Sequence, residues 1–278
     1  MEKTLRQWLD RDWLCWGLGP YIAVNLGYFG TSALLEGLIW SGTVKHGFIE
    51  YGEDSREEAL SKQTLPFWTQ LRVATWNIMG PMALFNVAVT AVTLPRLIRS
   101  GADAALLPTS RRFLEHFVAM ELIGDFFLYV GHRILHEWLW DYHKFHHSIS
   151  TPTPVSTACI DPLDATVQAG LPRLAAAVMT QPHPLTFCAY LMASVAENVL
   201  NHSGLDHWFT NLLFLKMLPF RASVAVHDAH HKYSNYPKNA KNFGENFWLW
   251  DWAFGSLGKV GEATRHRCET ERLAKICR

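Results

Sequence analysis

The histidines of this chain are grouped. His132 and His136 form an HxxxH pair, His143, His146 and His147 form HxxHH, and His227, His230 and His231 repeat HxxHH in "HDAHH". His202 stands between the last two groups, in "NHSG". On a helix, residues three or four apart share a face, so each group presents its rings together. A neutral imidazole is a ligand for iron, zinc or copper. One ion takes at most about six ligands, so nine histidines suit two ions better than one. A lone HxxxH pair is commonplace, but surface or core histidines do not produce two HxxHH clusters beside one. His46, His116, His183 and His266 lie outside the groups and read as structural or exposed. His207 follows His202 by five, a poor helical spacing.

Such a centre needs helices to present it, and the remaining sequence supplies apolar ones. Residues 13–35 and 73–95 carry no charge, and about 20 apolar residues suffice to cross a bilayer as a helix. They read as a transmembrane hairpin joined by the acidic stretch 41–72. Residues 165–200 are a second apolar region, broken by "QPHP" at 181–184. Two prolines there predict a turn and a second hairpin, which returns His227, His230 and His231 to the side of the earlier histidines. Residues 113–131 are apolar but contain Glu115, His116, Glu121 and Asp125. Such groups are costly in lipid, so this helix is expected to face protein or lie at the interface. The run "FWLWDWAF" at 247–254 reads equally as an interfacial aromatic belt or a core cluster. The expected fold is all-α, with about four transmembrane helices as two hairpins plus a cytosolic histidine-bearing helical part. The expected division is 1–112, 113–258 and a polar tail at 259–278.

Composition agrees. Of 278 residues 49% are hydrophobic and 18% charged, with 12 tryptophans, against roughly 25% charged in soluble domains. A net charge of zero gives no support for a nucleic-acid partner. Five scattered cysteines without a CxxC pair argue against a disulfide scaffold or a thiolate zinc site. The N-terminal stretch has no short apolar core followed by a cleavage site, so a cleaved signal peptide is not expected. Lys3, Arg6 and Arg11, with Arg96, Arg99, Arg111 and Arg112, favour a cytoplasmic N-terminus and a cytoplasmic 96–112.

The runs "HRILH", "HKFHH", "NHSG" and "HDAHH", followed by "GENFWLWDWAFGS", resemble the histidine boxes of the fatty acid hydroxylase/sterol desaturase superfamily. The motifs span roughly residues 113–257. The resemblance implies an integral membrane protein of the endoplasmic reticulum with a cytosol-facing dimetal centre of two non-heme iron ions. Its ligands would be His132, His136, His143, His146, His147, His202, His227, His230 and His231. It implies dioxygen as cosubstrate and hydroxylation of an unactivated C–H bond, with desaturation as the alternative outcome. Substrates of the right character are sterols, fatty acyl chains, sphingoid bases and lipophilic secondary metabolites. Two departures stand out. "DPLD" at Asp161–Asp164 replaces a His-Pro-x-Glu-like element, which weakens assignment as a sterol methyl oxidase. The His-Pro-Gly-Gly signature of a fused heme domain is absent, so electrons are expected from a separate donor such as cytochrome b5 or a reductase.

Carboxylates often orient ligating histidines through the other ring nitrogen. Asp125, Asp141 and Asp228 are candidates by nearness in sequence, and Trp138, Trp140 and Phe145 are candidates to line a substrate path. Whether His207 or Asp161 contributes is left open. A membrane zinc hydrolase would need HExxH, but His136-Glu137 is followed by no second histidine at that spacing. A metal transporter or sensor would place its site near the bilayer midplane, whereas these histidines sit in polar flanks.

Overall fold

A computed structural model describes residues 12–44, 61, 63, 65–98 and 107–258. His46, His266, the N-terminal basic residues, most of the acidic loop and the tail lie outside them. The described residues are helical, with no strand and a single isolated bridge between Arg221 and Phe247.

Two helices are long and apolar enough to cross a membrane, α1 (Trp13–Trp40) and α2 (Phe67–Leu97). Only 28% and 17% of their most apolar windows are buried. A core helix of a soluble protein would be mostly covered, whereas Leu26, Trp76 and Phe85 point outward, as lipid-facing residues do. α2 is interrupted at Gly80, which is extended ahead of Pro81, as the residue before a proline tends to be. The 29-residue α3 (Ser110–Trp138) starts at Thr109, whose side chain accepts from Arg112 N–H, an N-cap that satisfies an otherwise orphaned donor. At about 1.5 Å per residue it is roughly 44 Å long. α4 (Trp140–His147) follows, then a short 3₁₀ strap, Pro154–Ala158.

The second hairpin forms as the prolines predict. α5 (Leu171–Thr180) ends at Gln181, which is left-handed at φ 52°, and His183 caps α6 (Pro184–Asn201). The arms of this hairpin pack inside the protein: α5 lies against α3, and α6 against α1. Neither arm is among the helices that qualify as membrane spans. Gly131 makes the α3 packing possible, since a Cβ there would fall 2.5 Å from the Val167 carbonyl oxygen. The described residues close with α7 (Trp208–Leu213), α8 (Val224–Tyr233) and α9 (Leu249–Ala253).

Two apolar clusters mark the ends of the bundle. Trp16, Leu94, Ile98, Met120 and Phe187 make one, and there Gln181 donates to the Leu97 carbonyl. Tyr28, Leu35, Ala74, Cys159, Val199 and Leu200 make the other. The histidines lie at this second end, where the strap is tied down by Tyr28 to the Val155 carbonyl at 2.7 Å and by Asn77 to Ala158 and Ile160. Two expectations therefore exclude each other. If α1 and α2 cross a bilayer, residue 97 and the histidines lie on opposite faces, so 96–112 and the histidines cannot both be cytoplasmic. The fold also carries Arg133, Lys144, Lys232, Lys238 and Lys241, basic residues outside the flanks of the first hairpin, to the histidine end.

Candidate metal centre

The nine histidines gather into two buried groups. The first holds His132, His136, His143, His147 and His230, the second His146, His202, His227 and His231. Within each, the candidate donor atoms lie within 4.8 Å of one another. The HxxHH clusters divide crosswise. From α4, His143 and His147 (i, i+4) enter the first group and His146 the second; from α8, His227 and His231 enter the second and His230 the first. The sequence pattern put three rings on one helical face; in the fold that face straddles the boundary between two sites.

Six of the rings are fixed through Nδ1. His132 meets the Phe243 carbonyl at 2.9 Å, His136 that of Tyr236 at 3.0 Å and His230 that of Lys241 at 2.6 Å. His202 meets the Asn198 carbonyl at 2.8 Å and His146 that of Cys159 at 3.4 Å. His143 meets Asp164 Oδ2 at 2.8 Å. These oxygens only accept, so each Nδ1 carries the proton and each Nε2 a lone pair. Yet His136 Nε2 lies 3.2 Å from His230 Nε2, and His146 Nε2 3.2 Å from His202 Nε2. Two lone pairs facing each other without a proton repel. His147 Nε2 lies 3.0–3.1 Å from three other Nε2 atoms, and as an N–H tautomer it could satisfy only one. His132 Nε2 and both nitrogens of His231 are buried with no hydrogen-bond partner. Protons do not resolve this. Burial, reinforced by neighbouring rings, holds His146, His147, His227 and His231 far below the ordinary imidazole range, and burial takes His230 down to about 3. The donor set fits a cation in each group, and neutral imidazole nitrogens suit a first-row transition metal.

Asp164 touches a cluster histidine and lies with His143 in full burial. Asp141 is instead exposed and pairs with Lys144 at 2.6 Å; two residues before His143 on a helix, it points away. Asp228 lies 4.0 Å from Lys232. Asp125 accepts from Asn246 N–H, Phe247 N–H and Trp250 Nε1. Asp251, in the run "GENFWLWDWAFGS", accepts from Phe243 N–H and Gly244 N–H. Both therefore hold the loop whose Phe243 carbonyl fixes His132. Trp140 lies 5.1 Å from the His136 ring, whereas Trp138 is 74% exposed and Phe145 packs against the Tyr28–Leu35 cluster. Phe243, unremarked in sequence, covers His132, His136 and His230 at 5.3–5.9 Å. His207 and Asp161 cap short helices. Within the aromatic run at 247–254, Trp250 packs on Phe126 and Trp252 is exposed.

The model of the family described as "Fatty acid hydroxylase" matches residues 117–256. Methylsterol monooxygenase 2-2 of Arabidopsis thaliana is 30% identical over 242 residues, 84% of this chain and 86% of that protein. A putative methylsterol monooxygenase of Dictyostelium discoideum is 29% identical, covering 64% of this chain and 61% of that protein. Very-long-chain aldehyde decarbonylase GL1-8 of Oryza sativa subsp. indica is 31% identical over 137 residues, 49% of each chain. No solved structure matches.

Proposed function

The chain belongs to the fatty acid hydroxylase family, and on that premise we propose that it is a dioxygen-dependent di-iron hydroxylase of a hydrophobic substrate in the membrane. The observation that carries this reading is the set of facing, unprotonated Nε2 atoms in two adjoining buried groups. One iron would be held by His132, His136, His143, His147 and His230, the other by His146, His202, His227 and His231. When bound, the irons supply reduction of dioxygen, with two electrons and two protons, to water and one oxygen atom inserted into a C–H bond.

The chain's own part is positioning and exclusion. The carbonyls of Phe243, Tyr236, Lys241 and Asn198 fix the imidazole tautomers before any metal arrives. Asp164 accepts from His143 Nδ1 and fixes that ring's tautomer and orientation. Trp140 and Phe243 close over the first group and keep water from it. Glu137, the carboxylate next to His136, is turned to Arg133 at 2.7 Å, which removes the general base a zinc hydrolase would need.

The substrate class is a methylsterol or a lipid of similar character, a reading supported by relatives named methylsterol monooxygenases. Electrons come from a separate donor protein. The histidine end faces the cytosol of the endoplasmic reticulum, which puts the Trp13 and Leu97 ends of the hairpin on the far side. The test is purified protein in lipid nanodiscs with iron, a reducing donor and a methylsterol. Product gaining one oxygen supports hydroxylation, and loss of two hydrogens supports desaturation. Zinc-loaded protein with no oxygen uptake, unrestored by iron, overturns the oxygenase reading.

A further inference from the structure

The stretch joining His202 to His227 does not look like a connection between two ligands. From Trp208 to Phe220 it reads "WFTNLLFLKMLPF". Its outer side exposes Trp208 at 69% and Met217 at 73%, with Leu212, Leu213, Leu215 and Leu218 beside them. A contiguous apolar face of this kind in water is a liability and marks a contact surface. Its inner side is of opposite character. Lys216 is buried, its Nζ 2.5 Å from Glu197 Oε1 and 2.8 Å from Asn201 Oδ1 on α6. Arg221 Nη2 reaches the same Glu197 oxygen at 2.5 Å and the Phe214 carbonyl at 3.1 Å.

The cations point in and the hydrocarbon points out, the reverse of a segment folded against water. The backbone is also strained outward. Leu215 and Phe220 take left-handed φ values of 52° and 65°, which cost a branched or aromatic residue of order 1–3 kcal/mol. The Leu215 side chain is exposed, whereas the Phe220 ring packs on Trp248 at 5.2 Å and its carbonyl accepts from Trp248 N–H.

The place of the stretch says what covers it. Phe214 packs into the cluster of Tyr28, Leu35, Val195 and Leu200. That sets the stretch beside the site end of α1, a membrane-length helix whose own apolar side chains are uncovered. Its apolar face continues a surface that already suits lipid. Charged groups of a lipid-facing segment turn into the protein and pair there, as Lys216 and Arg221 do on Glu197.

We propose that residues 208–220 are embedded in the lipid leaflet on the histidine side, anchored inward by Lys216 and Arg221 on Glu197. Phe209, Leu213 and Met217 would touch acyl chains directly.

The test uses full-length protein in phospholipid nanodiscs with p-benzoylphenylalanine placed singly at Phe209, Leu213 or Met217. These side chains are exposed, so the replacement leaves the packing intact, and metal content reports the fold of each variant. Leu26 on α1 is the lipid-facing reference and Lys144 on α4 the solvent-facing one. After illumination, intact mass should show phospholipid adducts at 213 and 217 in yields comparable to position 26, and none at 144. Adducts at 26 but none at 209, 213 or 217 overturn the proposal. So does covalent pairing of two chains through these positions, which would make the face a protein interface. Absence of adducts at 26 as well overturns it too, since the helix it adjoins would then not be in lipid. No turnover is needed for this readout, so it stands or falls separately from the proposed chemistry.

Discussion

The two histidine groups are built from the same parts but held differently. In the first, four of five rings are pinned through Nδ1, three by backbone carbonyls and one by Asp164. In the second, His202 is pinned at 2.8 Å, His146 is held loosely at 3.4 Å, and the Nδ1 atoms of His227 and His231 have no hydrogen-bond partner. Aromatic rings close over the first group, while the second is the one that the 208–220 stretch adjoins in sequence. The first group is thus preorganised. The second leaves two of its four rings without an Nδ1 anchor, so those rings are less constrained.

The largest effect should come from His147→Ala. This ring's Nε2 is within reach of three others in the first group, and its ring stacks at 4.8 Å on His231 of the second. Turnover should fall by more than the about 100-fold that loss of an outer-sphere partner costs, with metal content down by at least one ion per chain. Retained activity would break the picture of two adjoining groups. Asp164→Asn comes next. The amide oxygen can still accept from His143 but brings no charge, so metal affinity or turnover should drop about 10-fold to 100-fold. Asp141→Asn, on the solvent face, should match the parent in both. Equal losses in the two variants would remove the distinction between buried and exposed carboxylates.

Graded chelation sharpens the contrast further. Titrating the loaded protein with a chelator should release one equivalent before the other, and the retained ion should be the one lost in His132→Ala rather than in His227→Ala. Simultaneous release would mean that the two groups are held alike.

These contrasts show what sequence could and could not supply. The nine rings were legible because i, i+3 and i, i+4 spacing is a local property, and the hairpin was legible because prolines end helices. Their sorting was not. Whether His146 joins His143 or His202 depends on where α6 and α8 dock, and no local pattern carries that. The same limit explains the carboxylates. Asp141 is nearest to His143 along the chain, but on a helix a separation of two residues turns a side chain to the far side. Asp164 arrives from beyond the strap, 21 residues later. The carbonyl anchors of Phe243, Tyr236 and Lys241 leave no signal at all, since every residue has a carbonyl. Asp251 lies inside the run "GENFWLWDWAFGS", but only the fold ties that carboxylate to Phe243 and Gly244.

The smallest expected effect is on the pH dependence of the metal-free protein, and its sign follows from burial. His147, His230 and His231 are neutral in the fold, with imidazoles held below the ordinary value of about 6.5. In the unfolded chain they would titrate near that value. Below it the unfolded state binds more protons than the folded one, so stability falls as pH drops. The contribution is fully present above about pH 6.5 and is lost progressively toward the folded value of about 3 for His230. Metal-free protein should therefore melt several degrees lower at pH 5 than at pH 7.5 by calorimetry. His230→Phe would remove one titrating ring and its lone pair together. If the buried imidazoles are the cause, this variant should show a shallower fall than the parent. An unchanged slope would mean that the acid sensitivity arises elsewhere, and that the neutral, metal-ready state of the first group contributes nothing measurable to it.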